Sequence, residues 1–304
     1  MQKQGVIQYL PHAQINKTKW DACIAAAPNG LIYAHSWYLD EIVETWDALV
    51  MNDYESVMPL PYRKKYGVLY LFHPPFVAQL GLIGNELGAG LLQDFLTAIP
   101  KKFRYWDFPL NHQNLFTSDA YPLYMRNNFV LPLKPAYEDL YKAFRENVRR
   151  NIKKSGQYGC VVKKNIPVQE VVTLAQAFTP DAAAEDLAKF ERVFNKLAAT
   201  DQAICYGIYS VQGQLLSSAA FLFSHRRAYY ILVGNHPNGR TLGASHALIN
   251  AFIQDHAGQD LLLDFEGGDM RNLAFFYSCF GAHEEPYAAI RLNRLPWWLR
   301  WMKK

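Results

Sequence analysis

Arg240-Thr-Leu-Gly243-Ala244-Ser245 follows an apolar run at 229–233 and the turn-forming Gly234-Asn235-His236-Pro237-Asn238-Gly239. It opens a helical pattern with apolar residues at Leu242, Leu248, Ile249, Phe252 and Ile253. A glycine-containing loop that leads into a helix offers unpaired backbone N–H groups and the positive end of the helix dipole, so this spacing suits a pyrophosphate. A second apolar run at 261–265 ends in Glu266-Gly-Gly-Asp269, after which a short helix carries Asn272, Ala274 and Tyr277 up to Gly281. Glu266, just past a buried strand, could remove a proton directly or through water. Asp269 is placed to cap the helix that follows. Far upstream, Arg145, Arg149 and Lys153 line one face of a helical stretch, with Arg150 and Lys154 beside them. These are either donors for a phosphate- or carboxylate-bearing substrate or a solvated basic face near a helix C-terminus.

The elements that must position these residues are legible along the chain. Residues 6–10 read as a strand and 17–27 as a helix with Trp20, Ile24 and Ala27 on one face, ended by Pro28-Asn29-Gly30. A second helix runs from His35 to about Trp46 with Ser36 as its N-cap, and strands follow at 47–51, 55–63 and 68–72. Residues 127–133 look like a strand and 137–155 like one helix, its apolar stripe made by Leu140, Phe144, Val148 and Ile152 and its end marked by Gly156. Beyond it come a strand at 160–164, helices at 168–178 and 184–199, a hairpin of 202–211 and 214–224 about Gln212-Gly213, and a last strand at 284–292.

The chain also repeats itself once. Leu82-Ile-Gly84-Asn85 matches Leu232-Val-Gly234-Asn235, Leu87-Gly88-Ala89 matches Leu242-Gly243-Ala244, and Asp107-Phe108 matches Asp264-Phe265 at similar separations. A single repeat of this size implies two copies of one fold; chance likeness of strand–loop–helix–strand units is the alternative. The first copy lacks the arginine before its glycine and the tyrosine-bearing helix, so it is expected to have lost cofactor binding.

The second copy resembles the acyl-CoA N-acyltransferase (GNAT) superfamily. That family's pyrophosphate loop reads Gln/Arg-x-x-Gly-x-Gly/Ala, which Arg240-x-x-Gly243-x-Ser245 matches except at its last position. Its later helix carries a tyrosine four residues before a glycine, as Tyr277 stands before Gly281. The linking helix narrows the likeness. Arg149-Arg150-Asn151-Ile152-Lys153-Lys154 is similar to a run in the tandem-domain Fem-type (FemAB-like) aminoacyltransferases, and Phe276-Tyr277-Ser278-Cys279-Phe280-Gly281 to their Phe-Lys-x-x-Phe-Gly, with Tyr277 in the lysine's place. Those enzymes also place a lysine after a helix-opening tryptophan, where this chain has Trp37 followed by Asp40 and Glu41.

The resemblance implies an α/β (α+β mixed-sheet) fold of two tandem GNAT-like domains, 1–132, degenerate, and 133–304, with the donor site. It implies acyl or aminoacyl transfer to a small-molecule or peptide amine. The donor would be acyl-CoA as co-substrate or aminoacyl-tRNA, with no covalently bound cofactor. In that pattern a backbone N–H around Val233 or Gly234 polarises the carbonyl, and Arg240, Gly243, Ala244 and Ser245 hold the pyrophosphate. Tyr277 protonates the thiolate, and Glu266 is the base. Trp37, Tyr38, Arg149, Arg150 and Lys153 would contact substrate. Tyr277 reads equally as a core aromatic with a satisfied hydroxyl. A non-catalytic protein that keeps the cleft for an anionic ligand is the rival function.

Composition bounds the rest. The 304 residues are 50% hydrophobic and 19% charged, enough core for two ordinary domains and too apolar for disorder. Aromatics at 14% suit large cores or aromatic-lined clefts. A net charge of +4 permits an anionic ligand without pointing to DNA. Four cysteines, none in a Cys-x-x-Cys pair, and scattered histidines give no metal site and suit a reducing compartment. No P-loop, dinucleotide fingerprint or Gly-x-Ser-x-Gly elbow occurs. With a polar N-terminus and no transmembrane-length run, the expected location is cytoplasmic. The tail at 296–304 mixes aromatics and cations and could make a weak membrane-surface contact.

Overall fold

The computed structural model describes residues 5–118, 120–178 and 183–297; the tail's surface contact falls on residues of which all but Pro296 and Trp297 lie outside these. The first elements are β1 (Ile7–Leu10), α1 (Lys17–Ala26), α2 (Ser36–Ile42), β2 (Trp46–Met51), β3 (Ser56–Lys65), β4 (Val68–Leu71), β5 (Ile83–Gly84), α3 (Ala89–Ala98) and β6 (Phe103–Pro109). There follow β7 (Leu123–Pro132), α4 (Tyr137–Ala143), α5 (Glu146–Gln157), β8 (Val161–Lys164), α6 (Val168–Phe178) and α7 (Ala184–Ala198). The chain then forms β9 (Ala203–Tyr209), β10 (Leu215–Ser224), β11 (Arg227–Asn235), α8 (Pro237–Leu242), α9 (Ala244–His256), β12 (Leu262–Gly268), α10 (Arg271–Ser278) and β13 (His283–Asn293).

These elements fall into two compact units, Met1–Arg126 with Pro286–Lys304, and Asn127–Glu285. In the first, the strand order is β1-β2-β3-β4-β6-β13, with α1 and α2 between the first two strands and α3 before β6. In the second it is β8-β9-β10-β11-β12-β7, with α6 and α7 between the first two strands and α8 and α9 before β12. Each is an antiparallel meander of four strands, then one parallel neighbour (β4/β6, β11/β12), then one antiparallel neighbour (β6/β13, β12/β7). Asp107 and Asp264 therefore sit on equivalent strands, as the repeat implies. The last strand of each array comes from elsewhere in the chain. β7 follows β6 in sequence but pairs with β12, and β13 follows β12 in sequence but pairs with β6.

The second unit's core explains its helices. Leu140, Phe144 and Val148 are buried together with Phe221, Tyr230, Leu248, Phe252 and Phe265, and Phe221 stacks on Phe252 at 3.8 Å. The single helix expected at 137–155 is two, because Phe144 and Arg145 take extended backbone (ψ 139° and 157°). The kink keeps the apolar stripe buried while Arg149 Nη1 donates to the Lys142 carbonyl across the break at 3.2 Å. Gly156 lies inside α5, and Gly159, at φ +68°, follows it. Ser36 is not an N-cap either: His35 holds that position, and the Ser36 N–H and hydroxyl both donate to the Asp21 carboxylate at 2.7 Å. The second helix stops at Ile42, since Trp46 begins β2 and packs on Trp20 at 5.2 Å. Among the described residues no helix is long and apolar enough to cross a membrane.

Candidate functional site

The site begins where β11 and β12 part. Their parallel pairing covers Arg227–Tyr229 against Leu262–Asp264, yet β11 continues to Asn235. β11 remains paired with β10 to its end, so alternate N–H and C=O groups of residues 230–235 point to the side β12 has left. A cavity of about 470 Å³ lies in this second unit, lined by Tyr230, Val233 and Asn235 of β11, Arg240 of α8, Ser245 and His246 of α9, and Asn272, Phe276 and Tyr277 of α10.

A bulge in β12 shapes one side. Asp264 pairs with Val130 and Gly268 with Asn128, so four residue steps on β12 face two on β7. Within it Glu266 takes a left-handed backbone at φ +62°, uncommon for a residue with a side chain. Its N–H donates to Asp264 Oδ1 at 3.0 Å. Asp264 is itself fixed by Asn128 Nδ2 at 2.8 Å and by Arg227, which also grips Glu285.

Burial dominates the electrostatics around the cavity. Burial pushes the Glu266 carboxyl up to about 8. Tyr277 is held above the ordinary tyrosine value, first by burial and then by the charge of Glu266; Tyr230 is raised by burial and by Tyr277. His246 is pushed down to about 4 by burial. Near neutral pH the site therefore offers a carboxyl close to its titration point, two protonated phenols and a neutral imidazole.

Of the residues picked out from the sequence, Val233, Arg240, Gly243, Ser245 and Tyr277 meet on this cavity. Glu266 is partly exposed as a residue while its carboxyl is buried; it is not on the cavity lining, but its charge reaches Tyr277. The Ser245 hydroxyl donates to Asn235 Oδ1 at 2.6 Å, so the serine that departs from the GNAT pattern ties α9 to the end of β11. Ala244 is fully buried, and Gly234 packs on α6, where a Cβ would come 2.8 Å from the Ala175 nitrogen. Arg240 lies within the short helix α8, which Pro237 starts and Gly243 ends. The helix N-terminus that faces the cavity is that of α9, and residues 237–242, read as loop, form the short helix α8 before it.

Arg149, Arg150 and Lys153 are not on the cavity: Arg149 serves the Lys142 carbonyl, and Arg150 and Lys153 are exposed on α5. Trp37 and Tyr38 belong to the first unit, where Trp37 stacks on His35 at 5.6 Å and the buried Tyr38 donates its hydroxyl to the Phe76 carbonyl at 2.5 Å. Asp269 does not cap α10; Met270 is the N-cap residue, and Asp269 Oδ1 accepts from the Asn127 N–H at 2.9 Å. His246 and Asn235 escaped the sequence reading. His246 directly follows the loop motif, which was the available signal.

Gly243 has two reasons to be glycine. It sits at φ +71°, and a Cβ there would lie 2.5 Å from the Asn151 carbonyl of α5. Gly243→Val should therefore lower unfolding stability by about 2–5 kcal/mol through backbone strain and a forced separation of α5. Denaturant titration checks this, and a variant as stable as the parent would mean that α5 does not pack here.

No protein-family model matches the chain, and no curated protein matches its sequence. Solved structures do. FemX superposes with a TM-score of 0.64 at 14% identity, over 93% of this chain and 97% of its own. A tandem GNAT protein from the clavulanic acid biosynthesis pathway gives 0.53 at 12% identity, over 96% and 99%. The C-terminal domain of a putative lysylphosphatidylglycerol synthetase from Agrobacterium fabrum also gives 0.53 at 12% identity, over 82% and 84%. The chain thus has the tandem GNAT-like fold of which Fem-type proteins are relatives, and at these identities the likeness is one of fold.

Proposed function

We propose that this protein is a cytoplasmic N-acyltransferase that takes an acyl group from acyl-CoA and passes it to a small-molecule or peptide amine. The donor site belongs to the second copy of the fold, within 133–304, and the first, within 1–132, has lost its own. The observation that carries this reading is the cavity where parallel strands β11 and β12 part, with Arg240 and the first turn of α9 on its wall. An anion there meets unpaired N–H groups, a helix dipole and a guanidinium. The strand edge from Tyr230 to Asn235 supplies backbone donors for an acyl carbonyl.

In the reaction, the acceptor nitrogen attacks the thioester carbon, the C–S bond breaks, and the nitrogen loses a proton. Glu266, ionised above about 8, receives that proton through water or another group, since it is not on the cavity lining. Tyr277, kept protonated by burial, gives its proton to the departing thiolate. The cavity, with Arg240 and the first turn of α9 on its wall, suits a pyrophosphate and so favours acyl-CoA over aminoacyl-tRNA. Calorimetry with acetyl-CoA tests the reading. The wild type should bind, and Arg240→Ala should weaken binding about 10–150-fold, the scale of a hydrogen bond to a charged group. An unaffected Arg240→Ala variant, or no binding at all, sinks it. Binding without turnover on any amine offered would favour the non-catalytic alternative.

A further inference from the structure

His246 lines the cavity but has no part in the mechanism above. It stands on the first turn of α9, edge-on to Phe276 at 4.9 Å and 80°, with Phe280 at 5.9 Å and 30°. Its Nε2 lies 3.4 Å from the side-chain nitrogen of Asn151 on α5. Gly243 makes this contact possible, because any side chain there would push away the backbone that carries Asn151. With the Asn151 amide nitrogen donating, Nε2 accepts and the ring proton resides on Nδ1. Two phenylalanine rings and an asparagine thus fix the orientation and tautomer of a neutral imidazole.

We infer that His246 is a substrate-positioning residue that donates its Nδ1–H to an uncharged carbonyl oxygen of the acyl donor, either an amide of the pantetheine arm or the thioester itself. An uncharged acceptor suits the place. A phosphate oxygen would draw a second proton onto the ring, and burial between aromatic rings disfavours the imidazolium. The inference rests on the acyl-CoA reading and adds to it the means by which the arm, as distinct from the phosphates, is held.

The test compares three probes by calorimetry: acetyl-CoA, CoA, and adenosine 3′,5′-bisphosphate, which has phosphates but no pantetheine carbonyl. His246→Phe should weaken acetyl-CoA binding about 3–10-fold, one neutral hydrogen bond, and leave the bisphosphate unchanged. His246→Asn places an amide N–H where Nδ1 was and should restore most of the loss. His246→Gln, which reaches instead to the Nε2 position, should not. A loss shared by CoA assigns the bond to the amide; a loss confined to acetyl-CoA assigns it to the thioester. Equal losses for His246→Asn and His246→Phe, an equal loss for the bisphosphate, or no loss would overturn the inference. Nitrogen-15 NMR of the free protein separates this from failure of the acyl-CoA reading. A proton found on Nε2 overturns the role of His246 alone, whereas a wild type that binds none of the probes overturns both.

Discussion

Glu266→Gln is expected to lower kcat by about 10²–10⁴-fold, the usual contribution of a positioned general base, with acetyl-CoA affinity changed less than about twofold. Gln keeps the shape of the side chain and the backbone bulge but cannot take a proton. The wild-type kcat should rise with pH and level off above about 8, because burial raises the carboxyl to that value and only the ionised form is a base. The same carboxyl has a signature that needs no substrate. Its folded value of about 8 exceeds the unfolded value of 4.5, so between them the folded state holds more protons than the unfolded. Stability from this group is then fully present below about 4.5 and is lost as pH rises through about 8. Tm should fall over that window, and Glu266→Gln should flatten the fall. Turnover retained in the variant would remove Glu266 from the chemistry. A flattened Tm profile beside retained turnover would show that its buried state is real but idle.

The sequence disclosed what is local. Apolar runs of strand length, broken by Gly, Asn and Pro, gave the strand–loop–helix–strand order of both copies, and the 3.6-residue spacing of 168–178 reproduces α6 to the residue. Val233, Arg240, Gly243, Ser245 and Tyr277 could be chosen because motif spacing survives on either side of one β-α-β unit. What stayed hidden depends on distant partners. Nothing near Phe144 and Arg145 is a proline or glycine, so the kink there is set by burial of Phe144 against Phe280, at 5.3 Å. Arg149 has the residue type of an anion donor, but the kink creates a carbonyl for it to serve. Glu266 lacks the glycine that usually marks a left-handed residue; its conformation follows from β7 pairing on either side of the bulge. The exchange of β7 and β13 leaves no local trace, since each strand reads the same whichever neighbour it takes. His246 becomes visible only when α5, α9 and α10 are brought together.

Arg227→Met should destabilise the second unit by about 3–5 kcal/mol, because it strips the counter-charge from buried carboxylates. Arg227 is 8% exposed and donates to Asp264 at 2.8 Å and to Glu285 at 2.6 Å, while Asp264 is 3% exposed. Burial already pushes the Asp264 carboxyl above its ordinary value, against the pull of Arg227. Without the arginine it rises further, and a carboxyl raised in the folded state loses its stability as pH rises through that value. The deficit of Arg227→Met should therefore be larger at pH 8 than at pH 5. Neutralising the partners as well, in Arg227→Met/Asp264→Asn/Glu285→Gln, should recover much of it, since uncharged amides are easier to bury than unpaired charges. Denaturant titrations at both pH values decide the matter. A loss under about 1 kcal/mol, the value of an exposed pair, would contradict the buried network. Asp264 also accepts the Glu266 N–H that closes the bulge. Arg227→Met should for that reason lower turnover even at temperatures where the protein remains folded, linking a charge in the core to the base it helps to place.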